Sequence, residues 1–273
     1  MIPALTIIAV LILAYLLFFL ENRRFVVVRQ EIACERASKP FTIVQVSDLH
    51  DLCFGKGQEK LLEAIRHARP DLIVVTGDLF NRRRKSACEN AFTFVRGALK
   101  IAPVYFSEGN HECSLKDTGE RYIDRIRQDG VHILRDEYVD LDPCRLIGLR
   151  QYASPDTLSA MLDRNRLNIV LAHRPELFPI YAGTGADVVL SGHAHGGQIR
   201  LFGVAVYAPG QGFFPRFTSG LYCSGKSLLY VSKGLGNTIP FPRVFDTPEL
   251  NILHIHPNES KGESRCSQKQ SKP

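Results

Sequence analysis

The sequence has no tryptophan, only two methionines, and no pair of cysteines in a C-x-x-C spacing. Its seven cysteines are an odd number, which gives no sign of a disulfide framework or of a thiolate zinc site. This pattern is typical of a protein from a reducing compartment. The chain also lacks internal repeats and any linker rich in Gly and Ser. We therefore expect one medium domain with appendages.

The overall composition is that of a globular protein. Of 273 residues, 45% are hydrophobic and 23% are charged, which excludes a disordered chain, a collagen and a polytopic membrane protein. Lys and Arg number 34 against 28 Asp and Glu, so the formal net charge is +6. This excess favours anionic partners such as phosphates, lipid head groups or nucleic acid, without choosing among them.

Both ends of the chain differ from its middle. Residues 2–20 carry no formal charge, and at ~1.5 Å per residue a helix of this length nearly spans a hydrocarbon layer of ~30 Å. We predict a transmembrane anchor over residues 1–24 in preference to a cleaved signal peptide, because no basic residue precedes the apolar run. Arg23, Arg24 and Arg29 follow it, which predicts a single-pass protein of the plasma (inner) membrane with its body on the cytoplasmic side. Residues 258–273 are predicted to be a disordered polar tail.

The middle of the chain, residues 25–257, alternates short apolar runs with amphipathic stretches. The predicted strands are residues 41–46, 72–76, 104–106, 146–149, 167–171, 188–190, 228–231 and 250–255. The predicted helices are residues 59–67, 86–99, 122–128 and 155–163. This order predicts a layered α/β domain, with crossover units first and a more antiparallel second half.

Polar residues of the types that bind metals follow five of the predicted strands. The five endings are Ser47-Asp48-Leu49-His50, Gly77-Asp78-Leu79-Phe80-Asn81, Gly109-Asn110-His111-Glu112, His173-Arg174-Pro175 and Gly192-His193-Ala194-His195-Gly196-Gly197. Ligand pockets in α/β sheets form outside the carboxyl ends of strands, so the five endings can converge on one place. Each motif alone also suits an ordinary turn, but all five in this order favour a functional site.

The residue types indicate a pair of divalent ions. Such a pair needs a bridging carboxylate, surrounding imidazole and oxygen donors, and a shared water whose pKa the two ions lower. Asp, His and one Asn, without thiolate, supply these groups. Mixed nitrogen and oxygen ligands suit Mn, Fe or Zn better than Ca or Mg. We predict two divalent metal ions, Mn first, with Fe or Zn as alternatives.

These motifs resemble the signature of the calcineurin-like metallophosphoesterases, which reads D-x-H, G-D-x-x-D/N, G-N-H-D/E, H and G-H-x-H. The resemblance covers residues 41–237, with Asn81 where many members have Asp. The stretches GHAHGGQ, GQGFFPRF and SKGLGN look like the membrane-associated bacterial branch of YkuE- and YaeI-like phosphodiesterases.

The resemblance implies a four-layer α/β/β/α metallophosphoesterase sandwich with a dinuclear site at the strand ends. The implied ligands form two groups that share Asp78. One group is Asp48, His50, Asp78 and His195, and the other is Asp78, Asn110, His173 and His193.

Other residues near the motifs have candidate roles. His111 resembles the family's non-ligand histidine, which stabilises the transition state or protonates the leaving group, although it could equally orient a ligand. Arg174 is a candidate for binding a non-bridging phosphate oxygen. The basic residues 82–85 are either a solvated charge run or an attractor of anionic substrate or lipid. Residues 213–217 either pack in the core or touch an apolar substrate or bilayer.

These observations predict a membrane-anchored dinuclear-metal hydrolase of a phosphodiester or pyrophosphate. The substrate is expected to be lipid-linked, with UDP-diacylglucosamine of lipid A synthesis as the sharpest candidate that the resemblance implies. One alternative is a nucleotide phosphodiesterase or nuclease, which should show a basic groove with stacking aromatics. A second alternative is a non-catalytic scaffold of the same fold, which would not need seven ligand side chains. The chain has no Trp and its basic residues are spread along its length, so nucleic acid is an unlikely partner.

Overall fold

The structure, a computed structural model, describes residues 2–82, 88–237 and 242–258. Its α-helices are α1 Ile2–Glu21, α2 Glu59–Ala68, α3 Glu89–Ala98, α4 Asn110–Ser114, α5 Asp117–Asp129, α6 Pro155–Met161 and α7 Phe178–Ala182. Its first strands are β1 Val26–Cys34, β2 Phe41–Val46, β3 Leu72–Thr76, β4 Val104–Ser107, β5 His132–Ile133, β6 Glu137–Asp140, β7 Arg145–Gly148 and β8 Asn168–Leu171. The remaining strands are β9 Val188–Ser191, β10 Arg200–Leu201, β11 Val204–Ala205, β12 Tyr207–Ala208, β13 Gly212–Phe213, β14 Gly220–Ser224, β15 Ser227–Val231 and β16 Glu249–Pro257.

Two six-stranded mixed sheets form the centre of the domain. The first has the order β1-β16-β2-β3-β4-β5, and the second has the order β14-β15-β9-β8-β7-β6. Strands β2, β3 and β4 are parallel neighbours in the first sheet, as β8 and β9 are in the second. The carboxyl ends of parallel neighbours lie at the same edge of their sheet. Each of the five predicted motifs begins just after the carboxyl end of one of these five strands.

Three apolar clusters separate the layers of the domain. Side chains alternate across each strand, so Val44 packs against the helices outside the first sheet while Ile43 points between the sheets. Val170 and Ile169 alternate in the same way in the second sheet, where the outer cluster includes Phe178 of α7. The arrangement is helices, sheet, sheet, helices, with both sheets buried on two faces.

The predicted α/β class is confirmed, and each predicted strand and helix has a counterpart. Sequence reasoning missed β1, a half-exposed strand parallel to β16 at the edge of the first sheet. Arg29, which was predicted to flank a membrane, lies within β1. The helix predicted over residues 86–99 begins at Glu89, and residues 86 and 87 lie outside the described residues.

The structure does not support the predicted transmembrane anchor, and it describes only one residue of the predicted tail. The predicted membrane segment forms α1, whose large apolar side chains between Ile7 and Leu20 are mostly exposed. Within residues 2–82, 88–237 and 242–258, no helix has the length and apolar character needed to cross a membrane, so the predicted transmembrane helix is not supported. All of the predicted tail except Asn258 lies outside the described residues.

Most of the described cysteines are reduced. Five described cysteines, Cys34, Cys53, Cys88, Cys113 and Cys144, are free thiols. Cys223 is disulfide-bonded, although the cysteine pattern gives no sign of a disulfide framework.

Candidate metal centre

The loops after β2 and β3 run side by side and continue the hydrogen bonding of the two strands. The N–H groups of Asp48 and His50 donate to the carbonyls of Gly77 and Asp78, each at 3.0 Å. This pairing fixes the two loops against each other beyond the end of the sheet. It brings the D-x-H motif and the G-D motif to the same edge.

Five of the predicted ligands have left-handed backbone conformations, which are uncommon for residues other than glycine. They are Asp48 (φ 52°), His50 (φ 48°), Asp78 (φ 53°), His193 (φ 66°) and His195 (φ 46°). Such conformations persist only where the surroundings enforce them, and they concentrate at functional sites. The left-handed turns direct side chains from separate loops towards a common centre.

Asp48, His50 and His195 form a buried cluster that we call the first triad. His50 Nε2 lies 3.4 Å from His195 Nε2, and Asp48 Oδ1 lies 3.8 Å and 3.5 Å from these two nitrogens. Asp48 is held by the hydroxyl of Ser47, which donates to Oδ2 at 2.5 Å, and by the N–H of His193. The three ligand atoms thus face one another at distances that suit a shared cation.

Asp78, His173 and His193 form a second buried cluster, the second triad. His173 Nε2 lies 3.5 Å from Asp78 Oδ2, 3.2 Å from His193 Nδ1 and 3.2 Å from Asn110 Oδ1. His173 Nδ1 donates to the Thr76 carbonyl at 2.8 Å, because a carbonyl oxygen can only accept. The lone pair of His173 is therefore on Nε2, the nitrogen that faces the cluster, when the ring is neutral.

Asp78 joins the two triads. Its Oδ2 lies 3.8 Å from His50 Nε2 and 3.9 Å from His111 Nε2, in addition to its contact with His173. His50, Asp78 and His111 accordingly form a third possible ligand cluster. The backbone N–H of Arg82 donates to His111 Nδ1 at 3.3 Å, so a neutral His111 carries its proton on Nε2, towards the site.

Burial controls the protonation of this site. It raises the pKa of Asp48 to about 6, against the lowering effect of His173. It lowers the pKa of His195 to about 3, and the nearby charge of Arg243 acts in the same direction. Burial also lowers the pKa of His193 to about 2. Near pH 7 these two imidazoles are neutral, which is the charge state that metal binding requires.

His173 behaves differently from its neighbours. Burial lowers its pKa, but the carboxylate of Asp78 outweighs this effect and raises the pKa of His173 to about 9. In turn, His173 holds the pKa of Asp78 well below its usual range in spite of burial. Without a metal ion, the Asp78–His173 pair is therefore an ion pair whose proton occupies part of the space that a cation would take.

The residues present fit divalent metal binding. In each of the three clusters, ligand atoms from three side chains lie within 4.8 Å of one another. The donors are imidazole nitrogens and carboxylate oxygens, the set expected for Mn, Fe or Zn. Two carboxylates share this buried space, where burial first and the charge of Asp78 second raise the pKa of Asp48. A bound cation would oppose both effects.

Arg174 lies at the rim of the second triad. Its Nη1 is 3.4 Å from His193 Nε2 and donates to Glu176 at 3.0 Å, while Nε donates to Gln151 at 3.1 Å. Its guanidinium also lies over the exposed ring of Tyr152, 4.7 Å from the ring centroid. These contacts hold the positively charged guanidinium of Arg174 beside the second triad. Of the predicted basic run at residues 82–85, only Arg82 is among the described residues.

Sequence reasoning missed two buried residues that support the site. The carboxylate of Glu112 accepts from the N–H groups of Asp78 at 2.9 Å, Phe80 at 3.1 Å and Gly109 at 2.8 Å. Arg243 places its Nη2 3.0 Å from His195 Nδ1. Glu112 stands inside the G-N-H-E motif, where its buried charge could have been suspected. Arg243 lies outside the five strand-end motifs and gives no comparable signal.

The family model for calcineurin-like phosphoesterases matches residues 41–197, which is more than half of the chain. The chain belongs to the calcineurin-like phosphoesterase family. The matched range contains every residue of both triads. The protein is accordingly a metal-dependent phosphoesterase, and the fold is the α/β metallophosphoesterase fold that the motifs implied.

Relatives of this phosphoesterase agree with the family assignment. A metallophosphoesterase from Campylobacter jejuni, Cj0846, is 31% identical over 80% of this chain, and the match covers 59% of that relative's length. The metallophosphoesterase YkuE of Bacillus subtilis is 30% identical, with 79% of each chain covered. Phosphodiesterase YaeI of Escherichia coli is 29% identical over 79% of this chain and 82% of its own.

Proposed function

We propose that this phosphoesterase hydrolyses a phosphodiester or pyrophosphate bond at a pair of divalent ions, with Mn²⁺ as the first candidate. The observation that carries the proposal is the pair of buried triads joined by Asp78. The first triad, with Asp78, would hold one ion. The second triad, with Asn110, would hold the other.

Bound divalent metal would supply Lewis-acid activation of the phosphoryl oxygens and of a water. The chain's own residues orient the substrate and move a proton. Arg174, fixed by Glu176 and Gln151, is placed to bind a non-bridging phosphate oxygen. His111 carries a proton on Nε2 beside Asp78 and would donate it to the leaving oxygen.

A lipid-linked substrate is a finer proposal. In support, the exposed side chains of Phe202, Phe213 and Phe214 lie in the segment that follows His195. Arg200, in the same segment, donates to the Gly196 carbonyl at 2.7 Å and so joins this segment to the residue after His195. A lipid-linked pyrophosphate such as UDP-diacylglucosamine would place its phosphates at the triads and its acyl chains on these rings. Location at the plasma membrane, facing the cytoplasm, stays a prediction.

A substrate panel tests both levels of the proposal. The purified full-length chain, loaded with Mn²⁺, should release p-nitrophenol from bis-p-nitrophenyl phosphate. Among natural substrates, a lipid-linked pyrophosphate should react faster than the same head group without acyl chains. If the head group alone or a free nucleotide reacts equally well, the lipid proposal is wrong and the phosphoesterase proposal stands. If no divalent ion supports hydrolysis of any substrate, the dinuclear proposal is wrong.

A further inference from the structure

Gln45 is a fully buried polar residue of β2, and the proposed reaction leaves it without a role. It lies on the face of the first sheet that points at the second sheet, where its neighbours Ile43 and Val74 belong to an apolar cluster. Its Nε2 donates to Thr76 Oγ1 at 3.0 Å and to the Ser191 carbonyl at 2.9 Å. Thr76 belongs to the first sheet and Ser191 to the second, so one side-chain amide joins the two sheets.

The two residues that Gln45 joins are the last residues of β3 and β9. Thr76 precedes Asp78 by two residues, and Ser191 precedes His193 by two. Asp78 and His193 are both members of the second triad. The amide of Gln45 therefore connects the two strand ends that lead into these members of the triad.

Thr76 also contacts His173, the third member of the same triad. Its carbonyl accepts from His173 Nδ1 at 2.8 Å, and this bond leaves the lone pair of the neutral ring on Nε2, which faces the cluster. The hydroxyl of Ser47 donates to the same carbonyl at 3.4 Å. The placement of Thr76 thus affects the orientation of His173, and Gln45 holds Thr76 by its side chain.

The geometry of the second triad depends on how the two sheets lie against each other. Asp78 follows a strand of the first sheet, whereas His173 and His193 follow strands of the second. An apolar cluster fills much of the space between the sheets, and apolar contacts are not directional. A hydrogen bond is directional, so the bonds of Gln45 define the spacing of the strand ends more closely than the apolar contacts do.

The burial of Gln45 is not explained by stability alone. Its Oε1 is buried and has no hydrogen-bond partner among the described residues. Leaving a buried acceptor unpaired costs free energy, and an apolar side chain of the same shape would avoid this cost. A role in placing the strand ends gives a reason for an amide at this position.

We propose that Gln45 is a positioning residue for the second triad, because it holds the ends of β3 and β9 at the spacing at which this triad binds a metal ion. The inference rests on the proposed function, since it takes the members of the second triad as ligands. Groups that orient metal ligands from outside the ligand set commonly change metal affinity about 10- to 100-fold when removed. Another bond between the sheets, from Ser107 Oγ to the Leu149 carbonyl at 2.8 Å, would remain, so we expect a loss near the lower end of this range.

Titration of the metal-free, full-length chain with Mn²⁺, followed by calorimetry, tests this inference without an activity assay. A His195→Ala background removes a member of the first triad and leaves the second triad complete. In this background, Gln45→Met keeps a side chain of similar length without its amide and should lower Mn²⁺ affinity about tenfold. Thr76→Val should also lower the affinity, whereas Thr76→Ser, which keeps the hydroxyl, should lower it less. Adding Thr76→Val to Gln45→Met should cause little further loss, because both changes remove the same hydrogen bond.

Tyr230→Phe is the matched control. Tyr230 Oη accepts from Asn251 Nδ2 at 2.9 Å, and Asn251 is the residue of β16 that pairs with Gln45 in the first sheet. This bond also joins the two sheets, but neither β15 nor β16 leads into one of the five motifs. Tyr230→Phe should lower the unfolding temperature of the metal-free chain without changing Mn²⁺ affinity. Thermal unfolding also confirms that each variant folds, and Thr76→Val keeps the test available if Gln45→Met does not fold.

Three outcomes would contradict the inference and leave the metal site in place. They are an unchanged Mn²⁺ affinity in Gln45→Met, an equal loss of affinity in Tyr230→Phe, and losses from Gln45→Met and Thr76→Val that add in full. The first would show that the strand ends keep their spacing without the amide, the second that any weakening between the sheets has the same effect, and the third that Gln45 does not act through Thr76. A wild type that binds no Mn²⁺ would overturn the proposed function and the inference together.

Discussion

The backbone N–H of His111 donates to Asp78 Oδ1 at 2.7 Å. This bond turns the other oxygen of Asp78, Oδ2, towards His173 at 3.5 Å and His50 at 3.8 Å. One oxygen of the carboxylate is thus fixed by the chain, and the other faces residues of both triads. A carboxylate that only stabilised a turn would not need one oxygen bound by the backbone and the other directed at two histidines.

Asp78→Asn should abolish hydrolysis of bis-p-nitrophenyl phosphate. An amide can still accept from His111 with its oxygen, but its N–H₂ group would then face His173 and His50 with donors in place of a lone pair. Mn²⁺ binding, measured by calorimetry, should weaken at both triads. His67→Ala is the control, because His67 is exposed on α2 and lies outside the motifs. Retained activity in Asp78→Asn would rule out a bridging role.

His111→Gln should separate proton transfer from metal binding. We expect a fall in kcat of about 10²- to 10⁴-fold, the usual range for loss of a general acid, with little change in Mn²⁺ affinity. The fall should be larger for an alkyl phosphodiester than for bis-p-nitrophenyl phosphate, since p-nitrophenolate leaves without protonation. Equal losses for both substrates would assign His111 to orientation of the substrate or of a neighbouring ligand.

Most of the strands and the motif positions could be predicted from the sequence, because the relevant signals are local. The apolar run of β2 ends at Val46 in both the prediction and the structure, since the motif residues directly after it cannot continue a buried strand. The same holds for β3. Polar residues placed after such runs lie at one edge of a sheet for topological reasons, so their convergence was predictable before their distances were known.

Features that depend on distant pairs could not be predicted in this way. Strand β1 is half exposed and pairs with β16 at the other end of the domain, so its pattern alone does not distinguish it from a linker. Arg243 reaches His195 from residues 243–248, a segment that lies against the end of α1. Asn22, which holds Arg243, falls within the anchor predicted over residues 1–24. Nothing near it in the sequence indicates that it contacts the main chain of Arg243.

Glu112→Gln should destabilise the fold by roughly 2 kcal/mol, within the usual cost of leaving buried donors unsatisfied. The carboxylate accepts three backbone N–H groups from the loops after β3 and β4, and an amide would turn its own N–H₂ group towards at least one of them. Burial raises the pKa of Glu112 to about 7, so urea unfolding of the metal-free chain is measured above this pH, where the carboxylate is ionised. Glu120→Gln is the control, because Glu120 pairs with Arg135 at the surface. A smaller loss at Glu112 than at Glu120 would contradict this account.

Mn²⁺ affinity of the second triad should rise between about pH 7 and 9, because His173, with a pKa raised to about 9, must lose its proton before Nε2 can bind a metal ion. The stability of the metal-free fold should change in the opposite direction as the pH rises. A folded-state pKa above the ordinary 6.5 stabilises the metal-free fold fully below pH 6.5, and this contribution is lost as the pH rises through about 9. Calorimetry and thermal unfolding across this range measure both trends, and His173→Gln should remove both. A flat Mn²⁺ affinity in the wild type would contradict the Asp78–His173 ion pair.

Gly192→Ala should weaken metal binding by the first triad through a steric clash alone. A Cβ at this position would lie 1.8 Å from Ser47 Oγ and 2.4 Å from Asp48 Oδ2, whereas the matched variant Gly183→Ala would meet only the Ile180 carbonyl at 3.5 Å. Asp48 cannot yield freely, because the N–H of His193 and the hydroxyl of Ser47 hold its carboxylate. We expect Gly192→Ala to cost about 1–3 kcal/mol of unfolding free energy, the usual range for overpacking, and to weaken Mn²⁺ binding. Adding Ser47→Ala removes the nearer of the two clashing atoms and should restore part of the stability but not the full Mn²⁺ affinity, because Asp48 would still be displaced.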